Sequence, residues 1–242
     1  MSAPRTQGNR PYRLTFSDEP KLIEAEEKFF VWGKQAAKPR PWFWTPETWE
    51  VKGRILEPEE LRILAYAALG NGAKGLQYYE YGTCQGYRGF DSSPRLLAEI
   101  GKLNHAIKAN EPILSLAIPV TVKTIGSDST GTRVYTLWSG EEGILVIARN
   151  LDCEPTQRVP NALGARPVFR CHSKPNVQIE IGKPAWFRTR AGRNGVASLR
   201  AKSLTSSSSP KVEVNGNTIS VSLPNLSLAE AIFIPNPKGE TL

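Results

Sequence analysis

At 242 residues, with 40% hydrophobic and 22% charged side chains, the chain suits one or two globular domains and is too apolar for a disordered one. No run approaches the roughly 18 apolar residues of a membrane helix, and the opening MSAPRTQGNRPYR places charges and prolines where a signal peptide needs an apolar stretch. A cytoplasmic protein with no membrane partner is therefore expected, while the net charge of +8 leaves an anionic partner open.

In chain order, Tyr12 to Phe16 is a candidate strand, and Ser17-Asp18-Glu19-Pro20 is a helix-start signal with a capping residue, early acids and a proline. Leu22, Ile23, Ala25, Phe29, Phe30 and Trp32 then predict a helix with a broad buried face, ending near Lys38-Pro39. The aromatic run Pro41-Trp42-Phe43-Trp44 predicts a short buried strand, followed by a loop to Leu56. Pro58-Glu59-Glu60 opens a second helix, with Leu61, Leu64, Ala65, Ala68 and Leu69 at helical spacing and Gly70-Asn71-Gly72 as its stop. Ala73 to Tyr81 reads as a strand, and Ser93 to Ala109 as a third helix whose core face is Leu96, Leu97, Ile100, Leu103 and Ile107. Alternating helix and strand implies a parallel sheet with helical crossovers, but two or three strands make a poor core alone.

Beyond Pro112 the period changes from 3.6 to two. Strands are expected at Leu116 to Ile125, Thr132 to Trp138, Gly143 to Ala148, Pro167 to Cys171, Val177 to Ile181, Ala185 to Thr189 and Val196 to Ala201. The closing set is Lys211 to Val214, Thr218 to Leu223 and Ala229 to Ile234, with Asn215-Gly216-Asn217 as a hairpin turn and Ser206 to Ser209 as a loop. The expected fold class is α/β plus all-β: a partial (β/α) barrel segment over 1–113, then an antiparallel β-sandwich over 114–242.

The stretch EPEELRILAYAALGNGAKGLQYYEYG, from Glu57 to Gly82, resembles the end of the barrel in glycoside hydrolases that carry a C-terminal β-domain. There a Pro-x-Glu-Leu-Arg helix start, an Ala-Tyr-x-Ala-Leu core and a Gly-Ala-Lys-Gly strand entry lead to a tyrosine-rich strand. KPRPWFW is similar to the penultimate strand of such barrels, and RLLAEIGKLNHAIKANEPIL to the closing helix. The resemblance implies barrel strands seven and eight, with a sugar-facing site at their C-terminal ends. It also implies a gap. Retaining glycosidases use two carboxylates, and the strand bearing the family's general acid is not among these motifs, so the chain resembles the C-terminal fragment of a hydrolase, incomplete alone.

On that resemblance Glu47 stands where many retaining enzymes keep the nucleophile, and Glu80 sits in YYEYG near the end of the eighth strand. Both are candidate catalytic carboxylates. Trp42, Trp44, Trp49, Tyr79 and Tyr81 are candidate carbohydrate contacts, because flat aromatic faces match the C–H faces of sugar rings. Between Arg166 and Lys211 ten basic residues face one acid, Glu180, so Arg188, Arg190 and Arg193 are candidate anion contacts for a sulfated or uronic polysaccharide. No RNA-binding or helix-turn-helix motif favours nucleic acid. Cys84, Cys153 and Cys171 are read as separate thiols, and with two histidines, His105 and His172, no metal site, triad or cofactor is expected. The remaining partner expectation is a complementary barrel segment or self-association, since open sheet edges invite pairing. The alternative reading is a non-catalytic binding module using the basic sandwich face.

Overall fold

A computed structural model describes residues 22–46, 48–50, 55–83, 86–122, 124–125, 131–161, 164–189, 196–206 and 210–237. The expected strand at Tyr12 to Phe16, the signal at Ser17 to Pro20 and most of the serine run lie outside them. The chain divides into two compact units, Met1–His105 with Cys153–Arg170, and Ala106–Asp152 with Cys171–Leu242.

In the first unit the helices α1 (Leu22–Ala37), α2 (Pro58–Gly70) and α3 (Pro94–Ala109) form where periodicity and end signals predict them. Proline opens α2, and Glu57 and Glu60 form a capping box that satisfies backbone donors of the first turn. Only Glu59 and Arg62 of α2 escape full burial, which accounts for its nearly continuous apolar sequence. Arg62 then pins α2 to α3: Nε and Nη2 donate to the two Glu99 oxygens, each at 2.5 Å.

Neither the aromatic run at 42–44 nor the segment at 73–81 forms a regular strand. Among the described residues they meet in a parallel bridge, Trp44 to Leu76. The backbone bonds nevertheless run on: Lys74 N to Trp42 O at 2.9 Å, Trp44 N to Gly75 O at 3.1 Å, Gln77 N to Trp44 O at 3.0 Å and Tyr79 N to Pro46 O at 3.1 Å. Pro46 has no N–H to return, so the ladder is broken at its middle. Two parallel segments joined through α2 make a βαβ connection. Their side chains alternate. Trp42 and Trp44 pack on Phe30 of α1, at 6.0 and 5.4 Å, and the Tyr78 hydroxyl donates to Asn104 of α3 at 3.1 Å. The Phe43 ring instead lies over Gly75 and is 57% exposed, so among the described residues this face of the pair stands open there.

The second unit is an antiparallel sandwich. After the short helix α4 (Glu111–Leu116) come β1 (Ala117–Val120), β2 (Thr124–Ile125), β3 (Thr132–Ser139) and β4 (Gly143–Asn150). Later strands are β7 (Lys174–Gly182), β8 (Val196–Leu199), β9 (Lys202–Ser203), β10 (Lys211–Asn215), β11 (Thr218–Leu226) and β12 (Ala229–Pro235). One sheet has the order β1-β3-β4-β12-β9 and the other β2-β7-β11-β10-β8. Their facing sides interdigitate: Ile144, Val146, Ile232 and Ile234 from the first meet Ile179, Ile181, Val212, Ile219 and Val221 from the second in one buried core. At the β10–β11 turn Gly216 takes φ 56°, the positive value that a two-residue hairpin with glycine first requires. Asn150 ties three connections together, its Nδ2 donating to His172 O at 2.7 Å and Ser227 O at 2.9 Å and its Oδ1 accepting from Asp152 N at 2.9 Å.

Several strand expectations are corrected. Leu116 to Ile125 is not one strand: Leu116 ends α4, and β1 and β2 belong to different sheets, with Pro119 tolerated because β1 is an edge. The strand expected at Val196 to Ala201 forms as β8 but ends at Leu199, and β9 follows in the other sheet. Ala185 to Thr189 is a turn in which Phe187 N bonds Pro184 O at 3.0 Å; buried Phe187 anchors it and mimics a strand pattern. A separate pair, β5 (Cys153–Asn161) with β6 (Gly164–Cys171), has a first strand that was missed, since two prolines and a polar sequence conceal it. Cys153 and Cys171, at the outer ends of this pair, are both disulfide-bonded, which overturns the reading of separate thiols. The pairing that brings strand ends together leaves no periodic trace in the sequence.

Candidate functional site

The C-terminal exits of the two parallel segments hold four of the expected site residues, Trp49, Tyr79, Glu80 and Tyr81. Thr48, Trp49 and Glu50 leave the first, and Tyr79, Glu80 and Tyr81 the second. The last cross-link is Thr48 N to Tyr79 O at 2.5 Å. Beyond it Trp49 packs edge-to-face on Tyr79 at 6.1 Å and on Tyr87 at 5.0 Å, while Tyr81 packs on Phe90 at 5.4 Å. Tyr79, Tyr81 and Tyr87 are exposed. Trp49 is half-buried, and neither its Nε1 nor the buried Thr48 hydroxyl has a hydrogen-bond partner among the described residues.

Trp42 and Trp44 are placed differently. Their rings pack on Phe30 of α1, Trp44 buried and Trp42 half-buried, so both contribute to the helix-facing layer. Strand alternation gives the reason: even-numbered positions of this segment face α1 and Phe43 takes the other side. Trp49, Tyr79 and Tyr81 remain at the exits.

Of the carboxylates, Glu47 lies outside the described residues. Glu80 is half-buried, and its backbone oxygen accepts from Phe90 N at 3.1 Å. Glu50 takes the Arg88 Nε at 2.5 Å, and its own N–H donates to Arg88 O at 2.7 Å. That hydrogen bond raises the Arg88 pKa above its ordinary value and holds the guanidinium charged. Tyr78, deeper between segment and α3, is pushed well above the usual phenol pKa by burial first and then by the charge of Glu99. The residues that sequence reasoning missed are Thr48 and Arg88 with Gly89; the only trace of the last two is the glycine-flanked GYRG run.

The basic stretch does not gather into one described cluster. Arg188 is exposed, whereas Arg190 and Arg193 lie outside the described residues. Other cations of the stretch have local tasks: Lys183 Nζ donates to Phe187 O at 3.3 Å, Lys202 Nζ to Asn110 Oδ1 at 3.0 Å, and Lys211 pairs with Glu213 at 2.9 Å. Among the described residues no group of His, Cys, Asp and Glu suits a metal ion, and no helix is long and apolar enough to cross a membrane.

A βαβ unit followed by an antiparallel sandwich, with aromatic and acidic residues at the parallel exits, defines a mixed α/β and all-β protein. No family model matches the sequence, and no curated protein does. Among solved structures, a chain described as a glycoside hydrolase is similar in fold, with a TM-score of 0.56 at 11% identity over 95% of this chain and 51% of that one. An alpha-L-fucosidase isoenzyme 2 from Paenibacillus thiaminolyticus overlaps at a TM-score of 0.31 and 10% identity, over 61% of this chain and 19% of that one, which is too little to argue from. The likeness to the first is one of fold alone, and the chain spans about half of its length.

Proposed function

We propose that the chain is the C-terminal part of a glycoside hydrolase-like, carbohydrate-active protein: the last (β/α) units of a barrel over 1–113 and a sandwich domain over 114–242. The observations that support this reading are the parallel pair closed through α2 with the sandwich after it, and a likeness in fold over 95% of the chain to a solved glycoside hydrolase. Carbohydrate is the partner that the exposed exit aromatics Tyr79 and Tyr81 suit. Glu47 and Glu80 are the proposed carboxylates, and a barrel's remaining strands would supply the rest of the catalytic set. The uncovered face at Phe43 supports a complementary barrel segment as a further partner. Disulfide bonding at Cys153 and Cys171 favours an oxidising compartment over the cytoplasm. The alternative of a binding module using the basic sandwich face draws on exposed Arg188 and Arg200.

Incubating the purified chain with a set of nitrophenyl glycosides tests the reading. Release no faster than in buffer is expected. Turnover that disappears in both Glu47→Gln and Glu80→Gln would replace the fragment by a complete small enzyme.

A further inference from the structure

Residues 86–91 cross from one parallel exit to the other, and four hydrogen bonds tie them there. Glu50 N donates to Arg88 O at 2.7 Å and Arg88 Nε to Glu50 Oε2 at 2.5 Å. Phe90 N donates to Glu80 O at 3.1 Å, and Gly82 N to Asp91 Oδ1 at 3.1 Å. Gly89 permits the approach: a Cβ there would stand 2.6 Å from Glu80 O and from Gly82 N, closer than real Cβ atoms come. The strap therefore fixes Tyr87, whose ring meets Trp49 at 5.0 Å and 76°, while Tyr79 meets the same indole at 6.1 Å and 79°.

We propose that this strap completes a binding platform for one ring of a neutral oligosaccharide, built of Trp49, Tyr79 and Tyr87 with Arg88 at its rim; the assignment rests on the carbohydrate reading above. Three rings from three chain segments offer apolar area, and Tyr79 and Tyr87 keep 48% and 43% of theirs open to solvent. The polar groups that stand open beside them and suit hydroxyls are the Arg88 N–H groups other than Nε, on a side chain 62% exposed, whereas the Trp49 Nε1 and Thr48 Oγ1 are buried from solvent. Glu50 offsets the Arg88 charge, so the pair suits hydroxyls rather than a carboxylate, and the sugar it fits is neutral.

The test uses the whole chain, with neutral trisaccharides of glucose, xylose, mannose and galactose and with trigalacturonate as probes, read by tryptophan fluorescence and saturation-transfer NMR. At least one neutral trisaccharide should bind and change the emission in a way that Trp49→Phe abolishes. Tyr87→Leu should weaken that binding at least tenfold at an unchanged melting temperature, and Gly89→Ala should do the same by lifting the strap. If Gly89→Ala fails to fold, the exposed Tyr87 carries the comparison. Equal affinity in wild type and Tyr87→Leu would overturn the platform while leaving a sugar site elsewhere, and with it the carbohydrate reading, intact. Preference for trigalacturonate, or no binding of any trisaccharide, would also overturn it. The carbohydrate reading itself falls only if insoluble polysaccharides retain none of the chain either.

Discussion

The sandwich and the parallel segment meet the cost of ordering a chain in different ways. In the sandwich, strands from two sheets bury alternate residues against one another, and Ile144, Val146, Ile179, Val212, Ile219, Val221 and Ile232 are all lost to solvent within a single core. Every residue of β4 is buried, on both faces of its sheet. Among the described residues the parallel segment is covered unevenly: Trp44 is buried beneath α1, yet Phe43, its neighbour in sequence, is 57% exposed. Apolar positions also stand open on the helices, at Phe29, Val31 and Trp32 of α1 and Leu97 of α3. The difference teaches that similar apolar content does not imply similar closure. A parallel sheet needs material on both faces, whereas two antiparallel sheets supply it to each other.

The largest effect expected from this contrast comes from paired core and surface truncations. Ile219→Ala, inside the sandwich core, should cost about 2–5 kcal/mol in urea denaturation, because lost burial and a residual cavity add. Phe43→Ser should cost within about 0.5 kcal/mol, as an exposed side chain has little burial to lose. If the two proved equal, the asymmetry between the regions would be gone.

A smaller effect should show that the helical unit depends on a polar pin as well as on burial. Arg62→Met leaves Glu99, only 3% exposed, without its guanidinium and should cost about 2–4 kcal/mol, most of it recovered in the Arg62→Met, Glu99→Leu double variant. Destabilisation in the double variant equal to the single one would mean that lost packing, rather than a stranded carboxylate, sets the cost.

The smallest effect is in pH. Tyr78 keeps its proton in the folded chain above the point where an unfolded tyrosine loses it, near pH 10. The folded state then binds more protons than the unfolded one, so stability is unchanged by this group below about pH 10 and falls above it, by at most about 1.4 kcal/mol per pH unit. The difference in urea midpoint between wild type and Tyr78→Phe should therefore move in favour of the variant from pH 9 to pH 11. A constant difference would show that Tyr78 ionises in the folded state as freely as in the unfolded one.

Much of the fold was legible before any coordinates. Pro58 with Glu57 and Glu60 marked the start of α2, the 3.6-residue spacing of Leu96, Ile100 and Leu103 marked α3, and Gly216 marked the β10–β11 hairpin; each depends on interactions within a few residues. The assignment of strands to sheets was not legible. Alternation looks the same in either sheet, so it could not divide Leu116 to Ile125 between α4, β1 and β2, nor show that β8 and the following β9 lie in different sheets. It could not reveal a β5–β6 pair whose ends are disulfide-bonded cysteines either. At the site, composition singled out the aromatic and acidic exits, but Trp42 and Trp44 were separated from Trp49 only by which way each ring turned. Local order was thus written in the sequence, because caps, turns and periodicity act over a few residues. The strap across both exits was decided by tertiary structure, because Arg88 and Glu50, 38 positions apart, meet only once α2 has carried the chain back to lie parallel to itself.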